Sequence, residues 1–349
     1  MATLDIATGA AQAVKIWSTL LLQRALYKTY YGRFASTKMD APFQILTDLT
    51  KGPGDQIKYD VVAQEGGYGV NGNTTLEGSE TTLTFYQNTL TINQKRLAHA
   101  WYRMSQQRTV HQLRKTSLEV LSDAWARIMD EYLFAFLCGT AGANATLDAD
   151  ITNHAAQALV AVEAASLIDN TGSAMTVDML DDMRWKAEAR AQADGGPVQK
   201  IKVNGFEGYL VFIHPYQAAQ LQNDSEWRSA QENADVRGDQ NKLFTGAMGS
   251  WNGMVIHVSN YLPFQAANVA NAVLCGKQAA VVGFGNAFDT LDQERYGKEF
   301  VFSWQERSQT DYNNIKGVAA SAIFGVNRNI FNSDSHGVIL LKTTSAAPA

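Results

Sequence analysis

The chain has 349 residues, with 29 Lys plus Arg against 34 Asp plus Glu, a formal net charge of −5 and 46% apolar residues. That apolar content supports a substantial core and excludes global disorder, and the acidic balance excludes the basic footprint of a chain that binds nucleic acid over its whole surface. Charged residues are only 18%, below the ~25% of an average soluble domain, which fits a surface largely covered by neighbours.

Residues 14–31 have helical spacing, with Ile16, Trp17, Leu20, Leu21 and Ala25 on one stripe and Gly32 placed to end it. The stretch 15–38 carries Lys15, Arg24, Lys28, Arg33 and Lys38 and no acid. It reads either as a solvated helix face or as an arm that lies on an anionic surface. The N-terminus has no basic leader region, and no run approaches 18 uncharged apolar residues. Neither a signal peptide nor a membrane span is expected.

Residues 52–94 predict an extended hairpin. Ile57, Tyr59 and Val61 alternate with Lys58 and Asp60, the period of a half-buried strand. The return strand, about 81–93, is rich in Thr and aromatics, and its apolar phase changes between Phe85 and Leu90, which implies a bulge or a change of face. The 18-residue loop between the strands carries five glycines. Ordering it costs roughly 1–2 kcal/mol per residue in backbone entropy, and Tyr68, Val70 and Leu76 return only about 1.5–3 kcal/mol each on burial. A two-stranded ribbon is marginal alone, so this one either waves in solvent or lies on another surface, that of its own subunit or of a neighbour.

The clearest helix covers 110–137, where Leu118, Leu121, Trp125, Ile128, Met129, Tyr132, Leu133 and Phe136 keep the 3.6 period and Gly139 stands at the stop. Leading into it, residues 95–115 hold Lys95, Arg96, Arg103, Arg108, Arg114 and Lys115 without an acid. Cations at a helix N-terminus oppose its dipole, so local stability does not account for them.

The Ala-rich stretch 140–175 is ambiguous. A helix follows at 177–193, with Thr176 as N-cap and Gly195-Gly196 as stop. Strands are expected at 209–213, 254–258, 272–275, 279–284, 298–305 and 318–326, with a short helix after Pro215. Mixed helices and strands with a late antiparallel set predict an α+β fold.

No catalytic motif emerges. GYGVNG at 67–72 matches a dinucleotide fingerprint in letters, but a Thr-rich strand approach follows it where a helix is required. The six histidines are scattered, and none pairs at ligand spacing. His214, before Pro215, reads as a capping or core histidine. Asp181-Asp182 answers to a helix dipole. Cys138 and Cys275, in FAFLCG and AVLCG, read as buried structural thiols. No metal or cofactor is expected. The dispersed tryptophans read as packing or interface anchors.

Four stretches together carry a resemblance: LTDLTKGPGDQIKYDVV (46–62), TLEGSETTLTFYQNTLTINQKR (75–96), LFTGAMGSWNGMVIHVS (243–259) and VLCGKQAAVVGFG (273–285). In order and spacing, over about residues 14–330, the chain resembles the major capsid proteins of N4-like tailed bacteriophages. The resemblance implies the HK97-type capsid fold: an N-terminal arm (1–46), an extended hairpin or E-loop (47–95), a peripheral domain (96–149) with spine helix 110–137, an axial domain (150–285), and a return to the peripheral domain with a C-terminal tail (286–349). It implies a non-enzymatic subunit that self-assembles as hexamers and pentamers of an icosahedral shell around a double-stranded DNA genome. Scaffold, portal and decoration proteins are further partners, DNA lies on the inner face without sequence specificity, no membrane is involved, and the virion capsid is built in the bacterial host cytoplasm.

Charge is segregated along these pieces. The span 52–94 carries Asp55, Asp60, Glu65, Glu77 and Glu80 against Lys58 alone, while 95–115 is +6. This makes an acidic hairpin, with apolar Tyr68, Val70 and Leu76, a candidate to lie over the basic segment of an adjacent subunit. The competing assignment turns the same cations, with those of the arm, toward packaged DNA. A cellular nanocompartment shell of the same fold and an unrelated α+β enzyme are the other classes left open.

Overall fold

The computed structural model describes residues 28–346 apart from 39, 47–55, 63–69, 74, 79, 81–84, 156–158, 191–195, 204–205, 233–248, 286–301, 311–313 and 332. One long helix, Leu113–Cys138, organises it. The 3.6-residue apolar period places Leu118, Leu121, Trp125, Met129, Tyr132, Leu133 and Phe136 in the core. Gly139 ends it in the left-handed region, φ 65°. A Cβ there would fall on the Val160 carbonyl and lie 2.9 Å from Ala161 Cα, so only glycine closes this end.

Two sheets pack around the helix. The first, six-stranded, runs in the order Ala35–Ser36, Phe43–Leu46, Ala280–Phe284, Ile315–Arg328, Phe302–Thr310, with Asn93–Tyr102 also paired to Ile315–Arg328. That 14-residue strand pairs with Asn93–Tyr102 over 315–324 and with Ala280–Phe284 over 324–328. The second, eight-stranded sheet has the main order Leu167–Asn170, Val338–Thr344, Val269–Cys275, Phe206–Ile213, Met254–Val258, Ser250–Trp251. One of its faces (Phe212, Val273, Cys275, Val338, Leu340) joins the long helix's core. Its other face (Val211, Ile213, Leu274, Ile339, Leu341) packs with Leu180, Met183 and Leu221 of two short helices, Val177–Ala189 and Pro215–Asn223. Burial on both sides explains why these strands read as unbroken apolar runs rather than alternating ones.

The strand expectations at 209–213, 254–258, 272–275, 279–284 and 318–326 each meet a strand, and the fold class is α+β. Several boundaries move. The long helix starts at Leu113 rather than 110. Residues 95–102, expected to lead into it, form an edge strand instead, because Leu97 and Trp101 face the core while Arg96, Ala98 and Ala100 face out. A separate short helix, Arg103–Arg108, follows.

The expected division at 285 does not follow the sheets. Ala280–Phe284 belongs to the first sheet, and Val338–Thr344, expected in the tail, is an inner strand of the second. The ambiguous Ala-rich stretch resolves into a helix, Ala145–Ala155, and a strand, Leu167–Asn170. Thr176 makes no side-chain cap; Asp224 Oδ2 accepts the Val177 N–H instead, at 3.0 Å.

His214 has the capping role expected of it. Its Nδ1 accepts the Tyr216 N–H at 3.2 Å, and Gln217 Oε1 accepts the His214 N–H at 3.0 Å. Cys138 and Cys275 are free and buried, and burial pushes both thiols up, as inert structural thiols require. Of GYGVNG, residues 67–69 lie outside the described residues; Gly72 has φ 62°, and none of the described residues from 73 to 80 is helical. Most of the expected helix 14–31 also lies outside; Tyr31–Arg33 is a single 3-10 turn.

Candidate assembly surface

The hairpin exists, with Gln56–Val62 antiparallel to Phe85–Thr91 from Gln56↔Thr91 to Val62↔Phe85. It is a two-stranded ribbon separate from both sheets. The bulge or change of face expected between Phe85 and Leu90 is absent, the pairing running in unbroken register from Phe85 to Thr91; the chain leaves the ribbon at Ile92 and enters the first sheet at Asn93. Among the described side chains of the ribbon, the buried ones lie at its root. Ile57 and Leu90 form a small core with Val281, flanked by Leu46 and Tyr59.

Three hydrogen bonds fasten the root. The Tyr59 hydroxyl donates to Asn329 Oδ1 (2.6 Å), Asn329 Nδ2 donates to the Gln278 carbonyl (2.6 Å), and Asn327 Nδ2 donates to the Thr89 carbonyl (3.2 Å). Burial holds the Tyr59 phenol well above its usual range. Sequence reasoning missed Asn327, Asn329 and the nearby glycines Gly283, Gly285 and Gly325. The available signal was glycine inside apolar strands, which marks close backbone approach.

The tip is open. Val70 is 36% and Leu76 60% exposed, and Glu77 and Glu80 are exposed. Glu80 Oε2 accepts the Gly78 N–H at 2.8 Å. Asp60 lies on the strand opposite Gln87, while Asp55, Glu65 and Tyr68 lie outside the described residues.

The basic segment divides. Lys95 is engaged in its own subunit: its ammonium donates to Tyr132 Oη at 2.8 Å and pairs with Asp150, whose carboxylate also accepts the Tyr132 hydroxyl at 2.7 Å. Arg96 stands exposed on the edge strand opposite Ser321. Arg103 and Arg108 lie on a helix that buries no residue. Around them Tyr102 is 59%, Met104 52% and Val110 98% exposed. Arg114 is half-buried and Lys115 exposed. Large exposed apolar side chains thus stand beside exposed cations in this segment.

The arm's root is held by a residue the sequence reading passed over. Asp130, in the apolar stripe of the long helix, accepts the Tyr30 N–H with both oxygens (3.0 and 2.9 Å) and the Tyr31 N–H at 3.1 Å. Burial raises its carboxyl to about 6, the amide donors pull the other way, and Glu131 adds a further rise. Lys28 pairs with Asp123, and Arg33 lies 5.7 Å from the Tyr30 ring centroid. Arg33 and Lys38 edge a cleft of about 610 Å3 that also involves Tyr209, Leu210 and Val255. Lys15 and Arg24 lie outside the described residues. Among the described residues, no cluster of three or more His, Cys, Asp or Glu could hold a metal, and no helix is long and apolar enough to cross a membrane.

Comparison with known proteins bears on the whole chain. The sequence model of a family described as "Phage capsid protein" matches residues 5–347. The major capsid protein of Pseudomonas phage KPP25 is 26% identical over 360 aligned positions, covering 93% of each chain. Among solved structures, the capsid of Ralstonia phage GP4 is similar with a TM-score of 0.77 at 26% identity, over 92% of each chain. The capsid of cyanophage Pam1 shares the fold with a TM-score of 0.71 at 15% identity, over 93% of this chain and 94% of its own.

Proposed function

Since the chain belongs to the phage capsid protein family and is a major capsid protein, a structural subunit of the virion shell of a tailed phage with the HK97-type fold, we propose that its acidic ribbon docks on the cationic surface of an adjacent copy. Self-association into a shell is the activity; nanocompartment and enzyme alternatives fall away with the family. The acceptor is the surface of Arg96, Arg103 and Arg108, with Lys115 at its border and Arg114 half-buried beside it. Lys95 is not part of it, being paired with Asp150.

The observation that carries this reading is the helix Arg103–Arg108, which buries none of its residues and is followed by Val110 at 98% exposure. A six-residue helix that buries none of its side chains is marginal in water, so in this reading it gains its burial from a neighbour. The ribbon tip has the matching deficit: exposed Val70 and Leu76 beside Glu77 and Glu80. Opposite charge steers and registers such a contact, while apolar burial supplies about 25 cal/mol per Å2. Many identical contacts closing by symmetry make a shell from individually modest interfaces.

Domain names follow the sheets in this reading. The ribbon is the E-loop, the first sheet with the long helix is the peripheral domain, and the second sheet with its short helices is the axial domain. The last strand returns to the axial domain. Hexamers and pentamers of an icosahedral shell are the expected capsomers, with DNA inside. Scaffold, portal and decoration proteins remain partners by family analogy alone.

The test is charge reversal. Arg103→Glu with Arg108→Glu leaves a soluble, folded subunit and abolishes shells seen by electron microscopy. Normal shells from that double variant reject the acceptor. Salt-dependent DNA binding by dissociated subunits, lost in the same variant, reassigns the cations to the genome.

A further inference from the structure

At three glycines under the root of the ribbon an added Cβ would crowd the ribbon residues or the chain leaving them. Gly283 and Gly325 are cross-strand partners on adjacent strands of the first sheet, and Gly285 follows two residues on, on the same face. The face is completed by Val281, which joins the ribbon's small core, and by Asn327 and Asn329, which bond the ribbon. Glycine in a strand interior weakens it, so three on one face answer to something that approaches closely.

What approaches is the ribbon. A Cβ on Gly283 would stand 2.5 Å from Leu90 Cδ2 and 3.0 Å from Ile57 Cδ1. On Gly285 it would stand 2.8 Å from Ile92 Cδ1 and 2.7 Å from Ile323 Cγ2, and on Gly325 it would fall on the Thr91 carbonyl oxygen. The same ribbon residues, 57–59 and 89–92, make the root's hydrogen bonds and apolar contacts. None of the three glycines has the left-handed backbone that would itself demand glycine. The missing side chains therefore serve space, not conformation.

We propose that Gly283, Gly285 and Gly325 are positioning residues: they form a seat that sets the ribbon's angle on its own subunit and thereby where the tip meets the adjacent copy. This rests on the reading that the ribbon bridges copies. The leverage is geometric. At ~3.3 Å per strand residue the seat is roughly 10 Å long. A ~1 Å push at one end rotates the ribbon by about 6° and moves a point about 20 Å out by roughly 2 Å. Packed interfaces do not absorb such a shift without loss.

Five chains test it, each read by far-ultraviolet circular dichroism, gel filtration and negative-stain microscopy: wild type, Gly283→Ala, Leu90→Ala, Gly283→Ala with Leu90→Ala, and a chain whose residues 66–80 are replaced by a short Gly-Ser link. The seat predicts that Gly283→Ala folds but yields at least tenfold fewer closed shells, or shells of altered diameter. With Leu90→Ala as the reference for loss of that side chain, it predicts that the double variant, which removes the side chain the new methyl displaces, forms more closed shells than Gly283→Ala. Wild-type shells from Gly283→Ala, a folded double variant no better than the single, or a Gly283→Ala chain that does not fold each overturn the proposal. Ordinary shells from the tip-deleted chain overturn the bridging reading instead. A tip-deleted chain that fails while Gly283→Ala assembles normally overturns the seat alone.

Discussion

The two ends of the long helix are built to opposite rules. At the C-terminal end everything is closed: Gly139 turns the chain with its N–H returned to the helix, and the Arg328 guanidinium, 1% exposed, donates to the carbonyls of Leu137, Val160 and Ala161 at 3.4, 3.1 and 3.1 Å with Glu163 behind it at 3.5 Å. A cation among the last carbonyls is where the helix dipole favours one. At the N-terminal end Gln112 offers no side-chain cap, the first turn holds no acid, and Arg114 and Lys115 stand where the dipole disfavours them. One end is arranged for folding. The other sacrifices local stability, and the proposed docking of an adjacent copy on the adjoining exposed helix Arg103–Arg108 is what would offset it.

The contrast breaks most visibly at the closed end. Replacing Arg328 by Ala removes a buried cation and leaves Glu163 and three carbonyls without it, a loss of about 3–5 kcal/mol on the scale of broken buried pairs. Denaturant unfolding of the isolated subunit measures it. A change under about 1 kcal/mol would mean that the guanidinium fills space and closes nothing.

The sequence makes the long helix legible because twenty-six residues repeat one period and glycine follows. Three strands of the second sheet, at 209–213, 254–258 and 272–275, are legible as apolar runs bounded by turns, whereas the inner strand Val338–Thr344 is not among the expected strands. The ribbon is legible through its alternation and its glycine-rich loop. What escapes is what local pattern does not encode. Residues 95–102 pass for a helix approach because only Leu97 and Trp101 mark the strand's inner face. The exchange of strands between sheets around residue 279 follows from a tight connection, not from composition. Arg328 and Asp130 look like ordinary surface charges until distant carbonyls and amides converge on them, and Lys95 counts as a free cation until Asp150 folds up to it.

Between the two ends, Asp130 ties the arm to the helix, and its carboxyl sharpens the comparison by pH. Its folded value of about 6 lies above the ~3.9 of an unfolded chain. The folded state therefore takes up the proton first, and this group's contribution is full below the unfolded value and is lost as pH rises through 6. A rise of that size corresponds to at most about 3 kcal/mol. The stability difference between wild type and Asp130→Asn, followed by urea unfolding from pH 7 to 4.5, moves in favour of wild type as pH falls, because the variant has no proton to gain. Comparing the two chains cancels the losses that other carboxylates suffer in acid. A difference that stays flat across that range removes Asp130 from the pH response and leaves it a neutral or permanently charged tie.

The smallest expected effect discriminates best, because folding and assembly pull it in opposite directions. Lys115 is exposed in the first turn of the long helix. Lys115→Glu exchanges an unfavourable charge for a favourable one at the positive end of the dipole, worth about 0.3–1 kcal/mol to the isolated subunit. If the basic surface exists to receive an acidic ribbon, the same exchange sets like charges against each other at every interface of the shell and raises the subunit concentration at which shells appear. A variant that unfolds later yet assembles less readily separates the two demands on this end of the helix. One that gains stability and assembles as before shows Lys115 lies outside the contact and draws its border at Arg108.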